Sequence, residues 1–482
     1  MGKTFDVVVA GCGVAGLSAA VSAAECGLRV AVLERASRAE RGGQSRYTEA
    51  YLRMKTLDRV SDDFETHLAE NAGVYMDPDF VAELGRERNS WSHATRALGV
   101  ADPELIMNFA DHVPATIAWL QGLGVTFDFL PTQFLTKTQP RLLPVGGGEA
   151  LVEALAAKAE ALGVTFFYQT TARGLLRDDR GEVQGLLAQS PEEGGVHFLG
   201  KVVLACGGFE GNPALMAKYL GPRSVYLRPV CKGGYFNRGE GIEMALEAGA
   251  APCGEFGSYH AEPVDPRSGV SEPSIFVFPY GILVNKAGER FTDEAPGTVD
   301  ACYESVTRRI YEQREGIAYV ILDQRIKDVP NYRLAIRTDQ PAIEAGTLEA
   351  LGAKLGMPEG ALDATVQRYN EACPLDAGFK ALELDGLATR GLVPKKSNWS
   401  RRVDQGPFMA YPIISANVFT FGGLKINSAG QVLDTDGNPI RSLYAAGETV
   451  GMYYTNYTGA TSVLKGLVFG RLSAQHIAES KL

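Results

Sequence analysis

Gly11-Cys12-Gly13-Val14-Ala15-Gly16 has the spacing GxGxxG, and Glu34 stands eighteen residues beyond its last glycine. Each glycine has a physical task. Gly11 permits a tight turn, Gly13 lets a pyrophosphate approach the backbone, and Gly16 lets a helix pack closely on a strand. The backbone N–H groups at a helix start, here Val14 and Ala15, favour phosphate oxygens. An acid at the place of Glu34 accepts a hydrogen bond from ribose hydroxyls, and the neighbouring Arg35 belongs to the same binding set. This is chemistry for a nucleotide, and it needs a strand, a turn, a helix and a second strand. Phe5–Ala10 reads FDVVVA, a buried strand; an apolar helix follows to Cys26 with Gly27 as its C-cap; Leu28–Leu33 is the second strand.

Further segments bear on which nucleotide is held. Gly42-Gly43-Gln44-Ser45 is a second glycine-containing, hydrogen-bonding stretch soon after the first unit. A long cofactor such as FAD needs such donors for its second phosphate and ring system. Lys201–Phe209, KVVLACGGF, is a buried strand ending in Gly207-Gly208, and Leu443–Gly451, LYAAGETVG, is a strand ending in Gly447-Glu448. Ligands bind at the strand ends of a doubly wound sheet. Ends this far apart in sequence point to one extended cofactor lying across the sheet. No second convincing GxGxxG occurs, so a separate NAD(P)H domain is not indicated.

Composition narrows the class. Of the 482 residues 45% are hydrophobic and 22% charged, which excludes a mainly disordered chain. The net charge of −10, with no basic run, speaks against nucleic acid as a partner. The 7 cysteines are scattered without a CxxC pair, which fits a reducing, cytoplasmic setting. The histidines show no zinc spacing, so no metal site is expected. The apolar stretch Val7–Ala24 is punctuated by glycines at nucleotide-loop spacing. It reads as strand and helix, not as a signal peptide or membrane span, and no integral membrane protein is expected.

Six segments resemble the fumarate reductase/succinate dehydrogenase flavoprotein superfamily, most closely its tricarballylate dehydrogenase branch. They are RGGQSRYT (Arg41–Thr48), GGGEALVEAL (Gly146–Leu155), YGILVNKAGERFTDE (Tyr280–Glu294), TVQRYNEAC (Thr365–Cys373), FTFGGLKIN (Phe419–Asn427) and LYAAGETVG. The resemblance implies an α/β fold: a Rossmann-type FAD-binding domain, discontinuous in sequence (1–229 and 401–482), with an inserted α+β cap domain (230–400). It implies FAD contacts from Gly11, Gly13, Ala15 and Gly16 to the pyrophosphate and from Glu34 to ribose. Gly42, Gly43, Gln44 and Ser45 would run under the diphosphate and flavin, Ala172 would meet adenine, and Gly447 and Glu448 the ribityl chain. Ser462, Val463 and Leu464 would open a helix whose N-terminus faces the flavin pyrimidine, where negative charge develops on reduction. Where membrane-bound members attach FAD through a histidine, this chain has Tyr47, so noncovalent FAD is expected.

The departures carry information about the substrate. The stretch Arg290–Asp300 lacks the proton-delivering arginine of fumarate reductases. Val418 and Phe419 replace paired histidines, and Tyr457 replaces the C-terminal arginine. A buried substrate carboxylate without partners is costly, so fumarate and succinate are disfavoured. Tyr457 resembles the ketone-polarising tyrosine of ketosteroid dehydrogenases, and a phenol there can donate to a developing enolate oxygen; packing on the flavin is its alternative role. His260, in GSYHAEP, can bond substrate or flavin, or serve structure alone, and Glu262 can act as an acid. Tyr303 can take an α-proton if its pKa, ordinarily about 10, is lowered, or it can simply pack its helix. Arg141, Arg238 and Arg290 can hold a carboxylate, with pairing to Glu294 or to the cap backbone the favoured role of Arg290.

The resemblance implies an FAD-dependent oxidoreductase acting on CH–CH bonds. The expected direction is desaturation of a carboxylic acid or ketone, with a proton leaving Cα and a hydride leaving Cβ for flavin N5. The alternatives are an ene-reductase running in reverse, a cyclic ketone or ketosteroid-type dehydrogenase, and a non-enzymatic electron-transfer flavoprotein. A small-molecule substrate and an external electron acceptor (oxygen, a quinone or a separate redox protein) are the expected partners.

Overall fold

The computed structural model describes residues 2–70, 77–99, 102–137, 141–374 and 378–480. Its larger sheet has at its centre the strand Lys3–Ala10, flanked by Gly194–Leu204 and Val30–Leu33. Pro439–Ala445 and Thr165–Phe167 lie outside these, and every pairing along this run of five strands is parallel. Parallel strands covered on both faces must be apolar throughout, and Val7, Val8 and Val9 are fully buried. Each such side chain contributes roughly 1.5–3 kcal/mol by leaving water. Antiparallel strands complete the sheet: Val183–Ser190 pairs with Gly194–Leu204, Thr171–Arg177 pairs with Val183–Ser190, and Gln431–Leu433 pairs with Pro439–Ala445.

The helix Val14–Glu25 follows the first strand through the Gly11 turn, where φ is +108°. It packs on the last helix, Ser462–Glu479, at the closest range backbones allow. A Cβ at Gly470 would stand 2.4 Å from the Ala15 carbonyl oxygen, and Ser18 Oγ donates to the Leu467 carbonyl at 2.7 Å. Residues more than four hundred positions apart in sequence thus form one wall.

A second sheet is built around the long strand Phe408–Thr420. Tyr259–Val264, Ile317–Leu322 and Ile343–Ala345 run antiparallel to it, and Ile282–Val284 pairs with Ile317–Leu322. The helix Val299–Tyr311 packs here through Val299, Cys302, Val306 and Ile310, in an apolar core separate from that of the larger sheet. The fold is mixed α/β, as the sequence predicts. Phe408–Thr420 lies beyond residue 400, where the sequence reading ends the insert; it pairs with segments on the near side of that position, and its end at Thr420 meets Glu448. Among the described residues no helix is long and apolar enough to cross a membrane.

Candidate active site

A cleft of about 1280 Å³, the solvent at its mouth included, opens at the carboxyl ends of the parallel strands. Gly13 caps the helix Val14–Glu25 without a side-chain hydrogen bond, and the first turn holds no acidic residue. The positive end of this helix therefore meets no protein anion in its first turn. Glu34 closes the neighbouring strand. Its carboxylate accepts from Cys12 N at 2.9 Å and Ala36 N at 2.7 Å. Burial raises its pKa and these backbone bonds pull it back. Val14 N donates to the neutral Ser45 hydroxyl at 3.3 Å, and a helix start without a protein anion beside a fixed carboxylate suits the phosphates and ribose of a dinucleotide.

Of the residues singled out from sequence, Gly11, Gly13, Val14, Ala15, Glu34, Arg35, Gly42, Gly43, Gln44 and Ser45 line this cleft. So do Ala172, Gly207, Gly447, Glu448, Ser462 and Val463. Gly16, Gly208 and Leu464 stand behind its wall: Gly16 packs on the Gly11 carbonyl, Gly208 on the Glu448 and Thr420 side chains, and Leu464 is fully buried in the core. Arg35 is held by Glu240 and donates to the Phe236 carbonyl at 2.9 Å. Tyr47 packs beside the cluster of Val230 and Cys231, off the cleft lining.

The sequence reading missed the polar floor of the cleft. Gln44 Nε2 and Asn237 Nδ2 each donate to Glu210 Oε1 at 2.6 Å, and Asn237 Nδ2 also reaches Glu448 Oε2 at 3.2 Å. Thr420 N donates to Glu448 Oε1 at 2.8 Å. Burial raises both carboxyls, and the nearby Glu448 pushes Glu210 up further, so the site works against two full negative charges. The signal for Glu210 was its place just past the Gly207-Gly208 strand end; Asn237 has no comparable local mark.

A second space of about 720 Å³ shares Thr48, Glu272, Val418, Phe419, Ser462 and Val463 with the cleft and so opens onto it. His260, Tyr303 and Tyr457, which lie far apart in sequence, all line it. His260 comes from the strand Tyr259–Val264, Tyr303 from the helix packed on that strand, and Tyr457 from the loop before the last helix. His260 Nε2 and Tyr303 Oη are 2.6 Å apart. The His260 ring lies 4.5 Å from that of Tyr457 and 5.2 Å from that of Phe419. Burial, then the Arg308 cation, lower His260 to about 3. Burial first, and Glu304 next, push the Tyr303 phenol well above its usual value.

The Tyr457 hydroxyl is turned to the helix. It accepts from Thr461 N and Ser462 N at 3.0 Å each and donates to Ser462 Oγ at 3.0 Å. In this arrangement its one hydrogen is committed, and the ring serves as wall. Arg141, Glu262, Glu272 and Asp300 also line the pocket. Of the other two arginines considered, Arg238 lines neither space, and Arg290 is paired with Glu294 at 2.6 and 2.8 Å.

A parallel sheet with a phosphate-type helix start, a carboxylate at the next strand end and an adjoining aromatic chamber defines a dinucleotide-dependent oxidoreductase. A family model described as an FAD binding domain matches residues 6–464, so the chain belongs to that family, within the fumarate reductase/succinate dehydrogenase flavoprotein superfamily. Its cofactor is FAD, and it is an FAD-dependent oxidoreductase enzyme whose relatives act on CH–CH bonds. It is 28% identical to a vinyl phenol reductase of Lactiplantibacillus plantarum over 99% of this chain and 97% of that protein. It is also 28% identical to a 4-oxocyclohexanecarboxylate 2-dehydrogenase of Sinomonas cyclohexanicum, over 99% and 93%. The open conformation of a flavocytochrome c3 fumarate reductase shares its fold, with a TM-score of 0.73 at 23% identity over 100% of this chain and 79% of that one.

Proposed function

We propose that this flavoprotein reduces a carbon–carbon double bond activated by conjugation to a carbonyl or aryl group, with Tyr303 as proton donor. The observation that carries the reading is the 2.6 Å contact between His260 and Tyr303 inside an aromatic pocket that opens onto the FAD cleft. When bound, FAD supplies hydride transfer at its N5 position, and the residues of the cleft hold it noncovalently: the helix start at Gly13–Ala15 takes the pyrophosphate, Glu34 the ribose, and Glu448 the ribityl chain.

The chain's own part is the proton. His260 Nδ1 is buried and has no hydrogen-bond partner among the described residues. A buried lone pair without a partner is tolerated more readily than a buried N–H without one. That places the ring hydrogen on Nε2, donated to the Tyr303 oxygen. The Tyr303 hydrogen is then free to point at substrate. After it transfers to the substrate carbon, a solvent proton that enters with product exchange returns to the Tyr303 oxygen, and His260 keeps its Nε2–H donated to that oxygen throughout. Both groups are held neutral, which suits donation. Desaturation would need the tyrosinate at rest, whereas burial keeps the phenol protonated, and the imidazole, whose conjugate acid is at about 3, is a weak base. The resting protonation state is therefore the one that reduction needs. The likeness to a vinyl phenol reductase supports it.

Anaerobic stopped-flow absorbance tests this. Dithionite-reduced protein mixed with 4-vinylphenol, 2-cyclohexenone and fumarate should regain its oxidised flavin band with at least one of them. If none reoxidises the flavin, but a saturated acid or ketone bleaches the oxidised protein, the enzyme is a desaturase and this reading fails.

A further inference from the structure

We infer that Glu262 and Glu272 read an uncharged hydroxyl or oxo oxygen of the substrate, so that the pocket takes planar aryl or cyclic alkenes bearing such an oxygen and excludes di- and tricarboxylates. The inference rests on the reading above and names its substrate class. Glu272 is 7% exposed and lines both the pocket and the cleft. Its nearest cation is Arg337 at 3.7 Å, beyond hydrogen-bond reach. Arg337 instead bonds Glu49 Oε1 at 2.5 Å and Gln133 Oε1 at 3.0 Å. The Glu272 carboxyl thus faces the pocket with no hydrogen bond to another side chain among the described residues. Glu262, 6% exposed, accepts from Ser274 Oγ on one oxygen.

Three carboxyls therefore answer to a single guanidinium: Glu49 bonded to it, Glu272 at 3.7 Å and Glu262 within electrostatic reach. Three buried or half-buried anions cannot share one cation without a large desolvation cost. Burial raises the pKa of Glu262 and Glu272, and Glu262 adds to the rise at Glu272. The pair keeps one proton, and so presents one O–H donor beside carboxylate acceptors. That is the complement of a hydroxyl, which both donates and accepts, or of an oxo group, which accepts. A substrate carboxylate there would be desolvated against negative charge. Arg141, the one guanidinium among the described residues lining the pocket, shares that lining with three acids, Glu262, Glu272 and Asp300, with Arg53 and Asp300 as its charged neighbours, which is a poor complement for two or three carboxylates. The walls fit a flat ring: Phe134 and Tyr303 stack at 6.0 Å with 20° between planes, and Phe276 meets Tyr303 edge-on at 5.4 Å.

The test is a binding titration of FAD-loaded protein at neutral pH, read by the shift of the oxidised flavin spectrum, with 4-ethylphenol, 4-ethylbenzoate and tricarballylate as probes. The phenol should bind at least about tenfold more tightly than either charged compound. Glu272→Gln should weaken the phenol by about tenfold, because the protonated partner loses its acceptor, while flavin content stays that of the parent; Glu262→Gln should act in the same sense. Tighter binding of tricarballylate or 4-ethylbenzoate than of the phenol overturns the inference, and so does unchanged phenol affinity in both flavin-replete variants. The comparison of probes on the parent protein decides the matter even where a variant fails to fold. Failure of the reduction reading would show separately, as reduced flavin that no alkene reoxidises.

Discussion

The cleft and the pocket adjoin, yet they are made in opposite ways. The cleft owes its cofactor-facing turns to backbone: glycine turns, strand ends and a helix start whose first N–H meets the neutral Ser45 hydroxyl, at 3.3 Å. The pocket is side chains, brought from the strand Tyr259–Val264, the helix Val299–Tyr311, the loop carrying Tyr457, and segments near Phe134 and Arg141. Backbone surfaces suit a ligand whose shape never changes. Side-chain surfaces can be exchanged one at a time. Division of labour between an invariant cofactor and a variable substrate follows from that difference in material.

The sharpest way to break the comparison is at Gly11. A Cβ there would stand 2.1 Å from the Ala205 carbonyl oxygen, at a φ of +108°. Gly11→Val should give protein that retains almost no flavin, measured as the ratio of flavin to protein absorbance after purification. The opposite kind of change, Tyr303→Phe, should leave flavin content and spectrum intact and slow reoxidation by an alkene about 10²–10⁴-fold, as expected on losing a general acid. Retained flavin with unchanged reoxidation would remove Tyr303 from the chemistry.

Tyr457→Phe lies between the two regions. It leaves Thr461 N and Ser462 N without their acceptor, which costs about 1–3 kcal/mol each when water cannot replace it. Lower thermal stability with a modest change in rate is the expected outcome; a loss of rate as large as that of Tyr303→Phe would make the hydroxyl a direct participant. The effect that fades to nothing near neutral pH is a pH dependence. His260 titrates at 6.5 when unfolded and at about 3 when buried. Between these values the unfolded chain binds the extra proton, so stability falls as pH drops from about 6.5 toward 3 and is whole above that window. Relative to His260→Gln, the parent should lose melting temperature through the same window, and parallel curves would show that His260 is not held neutral.

The two regions were also unequally legible. GxGxxG, Glu34, Gly42-Gly43 and Gly447-Glu448 could be read because backbone sites need particular residues at fixed local spacing. Convergence of His260, Tyr303 and Tyr457 leaves no local trace; the three were singled out through a family likeness, and only folding sets the 2.6 Å contact. Asn237, Glu210 and Glu272 were missed because buried carboxyls and amides reveal their partners only across the fold. Tyr457 was expected to face a substrate oxygen, and nothing in NYTGATS announces that its hydroxyl turns back onto the following helix.

The nesting of Val14–Glu25 against Ser462–Glu479 has a consequence for biosynthesis. The helix that presents its start to the phosphates emerges from the ribosome early, but the helix that walls it in emerges more than four hundred residues later. Vectorial folding cannot finish the flavin cleft until that late segment is out of the exit tunnel. Completion of the cofactor cleft therefore waits on that late segment, and the nascent chain passes through a stage in which the wall behind Ala15 is still missing.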